Sequence, residues 1–261
     1  MITMLPLHRR INQMKSCIVE AHVAGLGSII NNLVIWLHEA NAYPRWTGSL
    51  YTEPGEDLWP ELFLPIEIPK DVTEIVCVHP SQWLTWRNAA ELYQGKSRPT
   101  WRTDCNKLWL DNFIPVPPCT DFVQRFVDEL MPTEKKIVAA QIRWHGHSGE
   151  QIYPHKSQTL EQYAAAIGQE KPDLVYVASG DQHSLDWLAA RFPVICHPTS
   201  RRSPTRDTDF HRTEKQTPAD ARHVLEEIML MALCDVLVHP VSNLATVALY
   251  CNPTLKSVYL P

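Results

Sequence analysis

Five short apolar runs separated by helical patterns, between Lys136 and the end of the chain, constrain this sequence more than any other feature. Strands are predicted at 136–143, 174–179, 193–197, 235–239 and 256–260, with helices near 158–168, 183–191, 219–233 and 243–251. Strands that are apolar throughout are covered on both faces. Helical crossovers between them make the sheet parallel and its connections right-handed. The second half therefore reads as a Rossmann-like domain.

In open α/β sheets ligands bind beyond the carboxyl ends of the strands, so polar residues at those ends are the first functional candidates. The run Ile137 to Ile142 stops in Arg143, and Trp144, His145, Gly146, His147, Ser148, Gly149 and Glu150 follow. An arginine at a strand end before a Gly-rich loop suits a phosphate or a diphosphate leaving group, though a solvated arginine gives the same pattern. A second strand end carries Ser179, Gly180 and Asp181, and a third runs from His239 through Pro240 and Val241 to Ser242 and Asn243. Ser242 and Asn243 are good helix N-caps, and the free N–H groups there would receive a phosphate; capping alone also explains Ser242. Pro198 to Thr217 is a polar, mixed-charge stretch with Arg201, Arg202, Arg206, Arg212 and Lys215, which fits a flap over a nucleotide or a solvated loop. The adjacent Glu226 and Glu227 sit in the helix before the strand at 235–239. One is expected to be solvated while the other faces the cleft.

The first half opens with a strand at Lys15 to Val23, the turn Ala24-Gly25-Leu26-Gly27-Ser28, and a helix with Ile29, Ile30, Leu33, Val34 and Leu37 on one face. Strand, Gly-x-Gly, helix lets a backbone approach a ligand, but the third glycine of the dinucleotide fingerprint is missing. Tight helix–strand packing explains Gly25 and Gly27 equally. From Tyr43 to Pro118 the texture changes: seven of the nine tryptophans and eleven of the 21 prolines lie by position 118. Apart from a short strand at Ile75 to Val78, the prolines imply long ordered connections rather than regular elements. Any single tryptophan is expected in the core rather than stacked on a sugar. Pro115 to Cys119 and the amphipathic run Phe122 to Leu130 mark the passage between domains, 1–133 and 134–261.

Bulk properties narrow the partners. A net charge of −5 and a sequence pI near 6.2 argue against nucleic acid held by bulk charge. No apolar run reaches the roughly 18 residues of a membrane span, and no signal-peptide core follows Arg9 and Arg10, so a cytoplasmic protein without an integral membrane segment is expected. The seven cysteines are dispersed, which favours reduced thiols. Eight of the twelve histidines lie after position 144, so a metal hydrolase built on His145, His147 and His155 with Asp181, His183 or His211 must be weighed; His145-x-His147 lacks a partner at ligand spacing.

In their order, these pieces resemble the GDP-fucose-dependent fucosyltransferases, the family of nodulation-factor and core α1,6-fucosyltransferases. Ile142 to Glu150 resembles the family's Val-Arg-His-Gly-Asn-Gly-Glu loop with two single-residue insertions, and Leu185 to Pro193 is similar to its segment after the Thr-Asp-Ser turn. Glu227 to Cys234 resembles its Asp-Met-Tyr-Leu-Leu helix, Ser242-Asn243 its Ser-rich loop, and Gly25 to Ser28 its Gly-rich turn. The resemblance implies a GT-B-like α/β fold of two Rossmann-like domains facing a cleft. The reaction it implies is inverting, metal-independent transfer of fucose from GDP-fucose to a saccharide hydroxyl, with no cofactor. Arg143 would hold the β-phosphate of the leaving GDP; His145, Asp181, Ser242, Asn243, Gly25 and Gly27 would complete the donor site. Glu150 and Glu227 are the candidate general bases. Two departures stand out: Gln141 replaces a histidine of the core-fucosyltransferase branch, and Glu227 replaces an aspartate. They keep open a different nucleotide sugar, or a catalytically silent domain that binds nucleotide or glycan.

Overall fold

The computed structural model describes residues 17–21, 26–39, 42–46, 59–70, 72, 75–78, 101–142, 158–203 and 217–260. Among them, strand β1 (Cys17–Ala21) leads into helix α1 (Leu26–Glu39), strand β2 (Ala42–Trp46), the short helix α2 (Trp59–Leu62) and strand β3 (Ile75–Val78). Helices α3 (Trp101–Asn112) and α4 (Pro117–Leu130) follow. The second half runs β4 (Ile137–Ile142), α5 (Leu160–Glu170), β5 (Leu174–Ser179), α6 (Gln182–Ala189) and β6 (Val194–Ile195), then α7 (Pro218–Ala232), β7 (Val236–His239), α8 (Asn243–Cys251) and β8 (Lys256–Tyr259).

Every pairing within the two sheets is parallel. The first sheet is ordered β2-β1-β3 and the second β6-β5-β4-β7-β8. In the second, the chain builds outward from β4 in one direction and then from β7 in the other. The strand order therefore reverses between β4 and β7, and the carboxyl ends of those two strands flank the switch point where such sheets bind ligands.

Alternation along the strands splits the core in two. Val138, Ala140, Val175, Val177, Val236 and Val238 face α5 and α6, while Ile137, Ala139, Leu174, Tyr176 and Leu237 face the other way. This second cluster continues through α7 and α8 into Leu26, Ile29, Ile30 and Leu33 of α1, Trp109 of α3 and Phe126 of α4. Helices from both halves of the chain thus share one core. No helix among the described residues is long and apolar enough to cross a membrane.

Helix boundaries follow local chemistry. Thr159 and Gln162 close a capping box on α5, and Lys171 ends that helix with φ 51°. Thr217 and Asp220 do the same at the start of α7, with Pro218 where a missing N–H costs nothing. The expectation of mere connections from Tyr43 to Pro118 fails at β2, at α2 and at α3. Pro44 lies inside β2, tolerated because β2 is an edge strand. Residues 101–112 form a helix whose Cys105 and Trp109, one turn apart, are buried. Trp109 stacks on Phe113 with centroids 5.3 Å apart, and Trp59 packs on Phe63 at 4.9 Å, so these two tryptophans are core. Cys105, Cys119, Cys196, Cys234 and Cys251 are free thiols.

Candidate functional site

The chain leaves β4 at Ile142, so Arg143 follows directly at one side of the switch point. Arg143, His145 and Glu150 lie outside the described residues, as do Gly25 and the histidines at 147, 155 and 211. On the other side, β7 ends at His239 and turns through Ser242 into α8. Ser242 holds the N-cap position with extended backbone and makes no capping bond from its hydroxyl. Its carbonyl accepts from both the N–H and the Oγ of Thr246.

Against this helix start lies the start of α1. A Cβ at Gly27 would stand 2.8 Å from Leu244 Cδ1, 3.1 Å from Leu244 N and 3.3 Å from the carbonyl carbon of Asn243. The missing side chain is what lets the two helix N-termini touch. A Gly27→Ala substitution is expected to cost about 1–3 kcal/mol as overpacking, read as a lower melting temperature; the leucine tip can give way but the backbone cannot. Asn31, fully buried one turn on in α1, donates from Nδ2 to Asn243 Oδ1 at 2.9 Å and accepts from the Tyr250 hydroxyl at 3.0 Å. The positive ends of two helix dipoles are thus held side by side, an arrangement that favours an anion beyond their shared end.

A second group lines the α7 side of the sheet. Gln141 falls on the same face of β4 as Ala139, and its Oε1 is buried without a hydrogen-bond partner among the described residues. The Tyr176 hydroxyl, Arg202 Nε and Glu227 Oε1 are buried and unpartnered in the same sense, and the Ser200 hydroxyl lies beside Glu227. Ser200 and Arg202 belong to the segment after β6, which folds back over the end of β5: Ser203 N–H donates to Gly180 O at 2.8 Å, and Gln182 N–H to Ser203 O at 2.9 Å. Arg202 also donates to the carbonyl of His197 at 2.9 Å. Four unpartnered polar atoms on this side of the sheet could be satisfied by a polar ligand.

The expected division of Glu226 and Glu227 into solvated and cleft-facing carboxylates is not what the structure holds: both are buried. Helix α7 lies between the sheet and α1, α4 and α8, so faces 100° apart are both covered. Glu226 takes a 2.8 Å bond from Nε2 of the fully buried His197, whose ring packs on Phe122 at 4.6 Å. Thr199 N–H donates to His197 Nδ1 at 3.3 Å, which places the ring proton on Nε2. Burial raises the Glu227 carboxyl above the usual carboxylate range, against the pull of the Ser200 hydroxyl and of nearby His197 and Arg202.

Asp181 caps α6. Its carboxylate accepts from Ser184 N–H at 2.7 Å, Ser184 Oγ at 2.8 Å and Ser179 Oγ at 3.1 Å, so its side chain is engaged within its own turn. Among the described residues no three His, Cys, Asp or Glu side chains could hold a metal ion. His239 is likewise occupied. Nδ1 sits 2.8 Å from Pro240 O and Nε2 2.7 Å from Ser257 Oγ, and burial pushes its pKa down to about 4. An unfolded chain binds that proton near pH 6.5, so the native state loses stability as pH falls from there toward 4, by up to about 3 kcal/mol. Chemical denaturation across that interval should show the slope, and His239→Gln should flatten it.

The sequence matches no family model and no curated protein. Solved structures similar to the chain include a NodZ alpha-1,6-fucosyltransferase co-crystallised with GDP, at 16% identity and a TM-score of 0.60 over 95% of this chain and 96% of that one. The fucosyltransferase NodZ from Bradyrhizobium is similar at 17% identity and a TM-score of 0.57, covering 92% and 94% of the two chains. An arginine-to-lysine variant of Arabidopsis thaliana FUT1 in complex with GDP gives 14% identity and a TM-score of 0.55 over 98% of this chain and 73% of that one. At these identities the likeness is one of architecture: the chain has an α/β, parallel-sheet fold of the GT-B type, similar to these fucosyltransferases.

Proposed function

We propose that this protein is a glycosyltransferase that transfers fucose from GDP-fucose to a saccharide hydroxyl, with inversion and without a metal. The observation that carries the reading is that β4, which ends one residue before Arg143, and β7, which leads into the Ser242 turn, are the two strands that flank the switch point. In this reading residues 1–133 and 134–261 are the two Rossmann-like domains, and the donor lies where they meet. Its diphosphate occupies the corner of Gly25, Gly27, Ser242 and Asn243, with Arg143 and His145 reaching it from the β4 end. The guanine lies along the α7 side, where Gln141 and Glu227 offer unpartnered polar atoms.

Chemically, the bond from the sugar C1 to the β-phosphate oxygen breaks, and GDP leaves with the electron pair. The acceptor oxygen bonds to C1 from the opposite face and gives its proton to a base. The developing charge sits on the departing diphosphate, so a fixed arginine and two helix N-termini there would lower the barrier most. Buried on α7, Glu227 is assigned in this reading to the N–H donors of the purine rather than to the acceptor's proton, which leaves Glu150 as the candidate general base. Asp181, engaged as a cap, supports the β5 end in this reading rather than touching the donor.

The test is release of GDP from GDP-fucose with a panel of oligosaccharide acceptors in the presence of EDTA. Acceptor-dependent release with an inverted anomeric product supports the transferase. Binding of GDP without turnover on any acceptor would favour a silent binding domain, the reading that Gln141 in place of the family histidine keeps open.

A further inference from the structure

We propose that Asn31 is a positioning residue for the donor diphosphate, acting through Asn243. This inference rests on the reading above and adds to it a residue that reaches the donor only at second hand. Asn31 sits among Ile29, Ile30, Leu33 and Val34 in a stretch of α1 whose described side chains are almost all buried. An apolar residue would pack there at less cost. A buried amide in such a setting is best accounted for by the register it imposes on two packed elements.

The register it imposes is specific. The carboxamide is used at both ends: Nδ2 to Asn243 Oδ1 at 2.9 Å and Oδ1 from the Tyr250 hydroxyl at 3.0 Å. Asn243 and Tyr250 lie two turns apart on α8, so one side chain of α1 fixes both the rotation and the axial position of α8. Asn243 gives its carbonyl oxygen to Asn31, which orients its Nδ2 as a spare donor; among the described residues that nitrogen makes no hydrogen bond. From the far end, Asn106 Nδ2 of α3 donates to Tyr250 O at 2.7 Å and to Cys251 O at 3.2 Å. Residues of the first half thus hold α8 at both termini. Two like dipole ends brought together repel unless an anion lies between them, and the Asn31 bridge offsets that repulsion in the free protein.

The test compares GDP with guanosine, which lacks the phosphates, by calorimetry on the full chain. Asn31→Asp keeps the shape and the bond from Tyr250, but replaces the donor to Asn243 with an anionic oxygen. The expected result is GDP binding weaker by roughly tenfold or more, the size of one lost hydrogen bond to a charged group, with guanosine binding within about twofold of the parent. Tyr250→Phe removes only one hydroxyl. It should weaken GDP by a few-fold with the same sparing of guanosine, and it decides the matter if Asn31→Asp does not fold. Equal losses for GDP and guanosine, or unchanged GDP binding in a folded variant, would overturn the inference and leave the proposed function standing. A parent protein that binds no GDP would overturn both.

Discussion

Replacing Arg143 by alanine is expected to lower kcat/KM for transfer from GDP-fucose by about 100-fold or more, the usual cost of removing a preorganised donor from a developing oxyanion. Arg143 is the first residue beyond β4, the central strand of the second sheet and one of the two that border the switch point. In the proposed reaction a cation there would meet the charge that appears as the sugar–phosphate bond lengthens. The loss should therefore fall on kcat more than on KM, since the interaction strengthens toward the transition state. Arg143→Lys is expected to recover only part of the rate, because an ammonium cannot make the paired, planar contact with two phosphate oxygens. Steady-state rates with GDP-fucose, beside a thermal melt showing an intact fold, measure this. Loss of rate accompanied by loss of folding would remove the argument for charge.

The second large effect is expected at Glu227, where binding and stability should move in opposite directions. Its carboxyl is raised by burial and keeps Oε1 unpartnered among the described residues. A carboxyl whose pKa rises on folding contributes stability below its unfolded value, near pH 4.3, and loses it as pH rises. Glu227→Gln should therefore melt higher than the parent at pH 7 and converge with it near pH 4. In the proposed base site the ionised carboxylate accepts N–H donors of guanine, so the amide should weaken GDP by roughly tenfold or more. Affinity of the parent for GDP should increase as pH rises above the usual carboxylate range, more steeply than in the variant, which keeps only the titration of the terminal phosphate. A variant that binds GDP as the parent does would take Glu227 out of the site.

Much of the architecture is legible in the sequence because the second half is locally consistent. The apolar runs at Ile137 and Leu174, and the helix from Asn243 to Cys251, coincide with observed elements to within a residue or so. The starts of α5, α7 and α6 are marked by Thr159, Thr217 and Asp181, whose capping chemistry is readable without coordinates. The first half is harder. Pro44 in β2 and the polar stretch 101–112 carry strand and helix against local propensity, because an edge position and a tryptophan–phenylalanine cluster override it.

The candidate site divides along the same line. Residues at strand ends, Arg143, Ser242 and Asn243, are visible as interruptions of apolar runs. Asn31 and Tyr250 are not, because their meaning depends on a contact 219 residues apart in the chain. Nor does the sequence announce that Glu226 serves His197 while its neighbour Glu227 is left with an unpartnered oxygen. Adjacent glutamates on a helix ordinarily face water. Here α7 packs against the sheet and against α1, α4 and α8, and both carboxyls are internal. The one cue available is an amide at position 31 within an otherwise apolar helix face.

The most direct measurement is a thermal-shift titration of the purified chain with GDP, UDP, ADP and CDP, each with and without EDTA, on the parent and on Arg143→Ala. A ligand that binds only the native state raises stability by about 2.7 kcal/mol at a hundredfold excess over its dissociation constant. The account predicts a shift selective for GDP, unchanged by EDTA, and strongly reduced in Arg143→Ala. No response to any nucleotide, or a response that disappears with EDTA, would contradict a metal-independent GDP-sugar transferase built on this switch point.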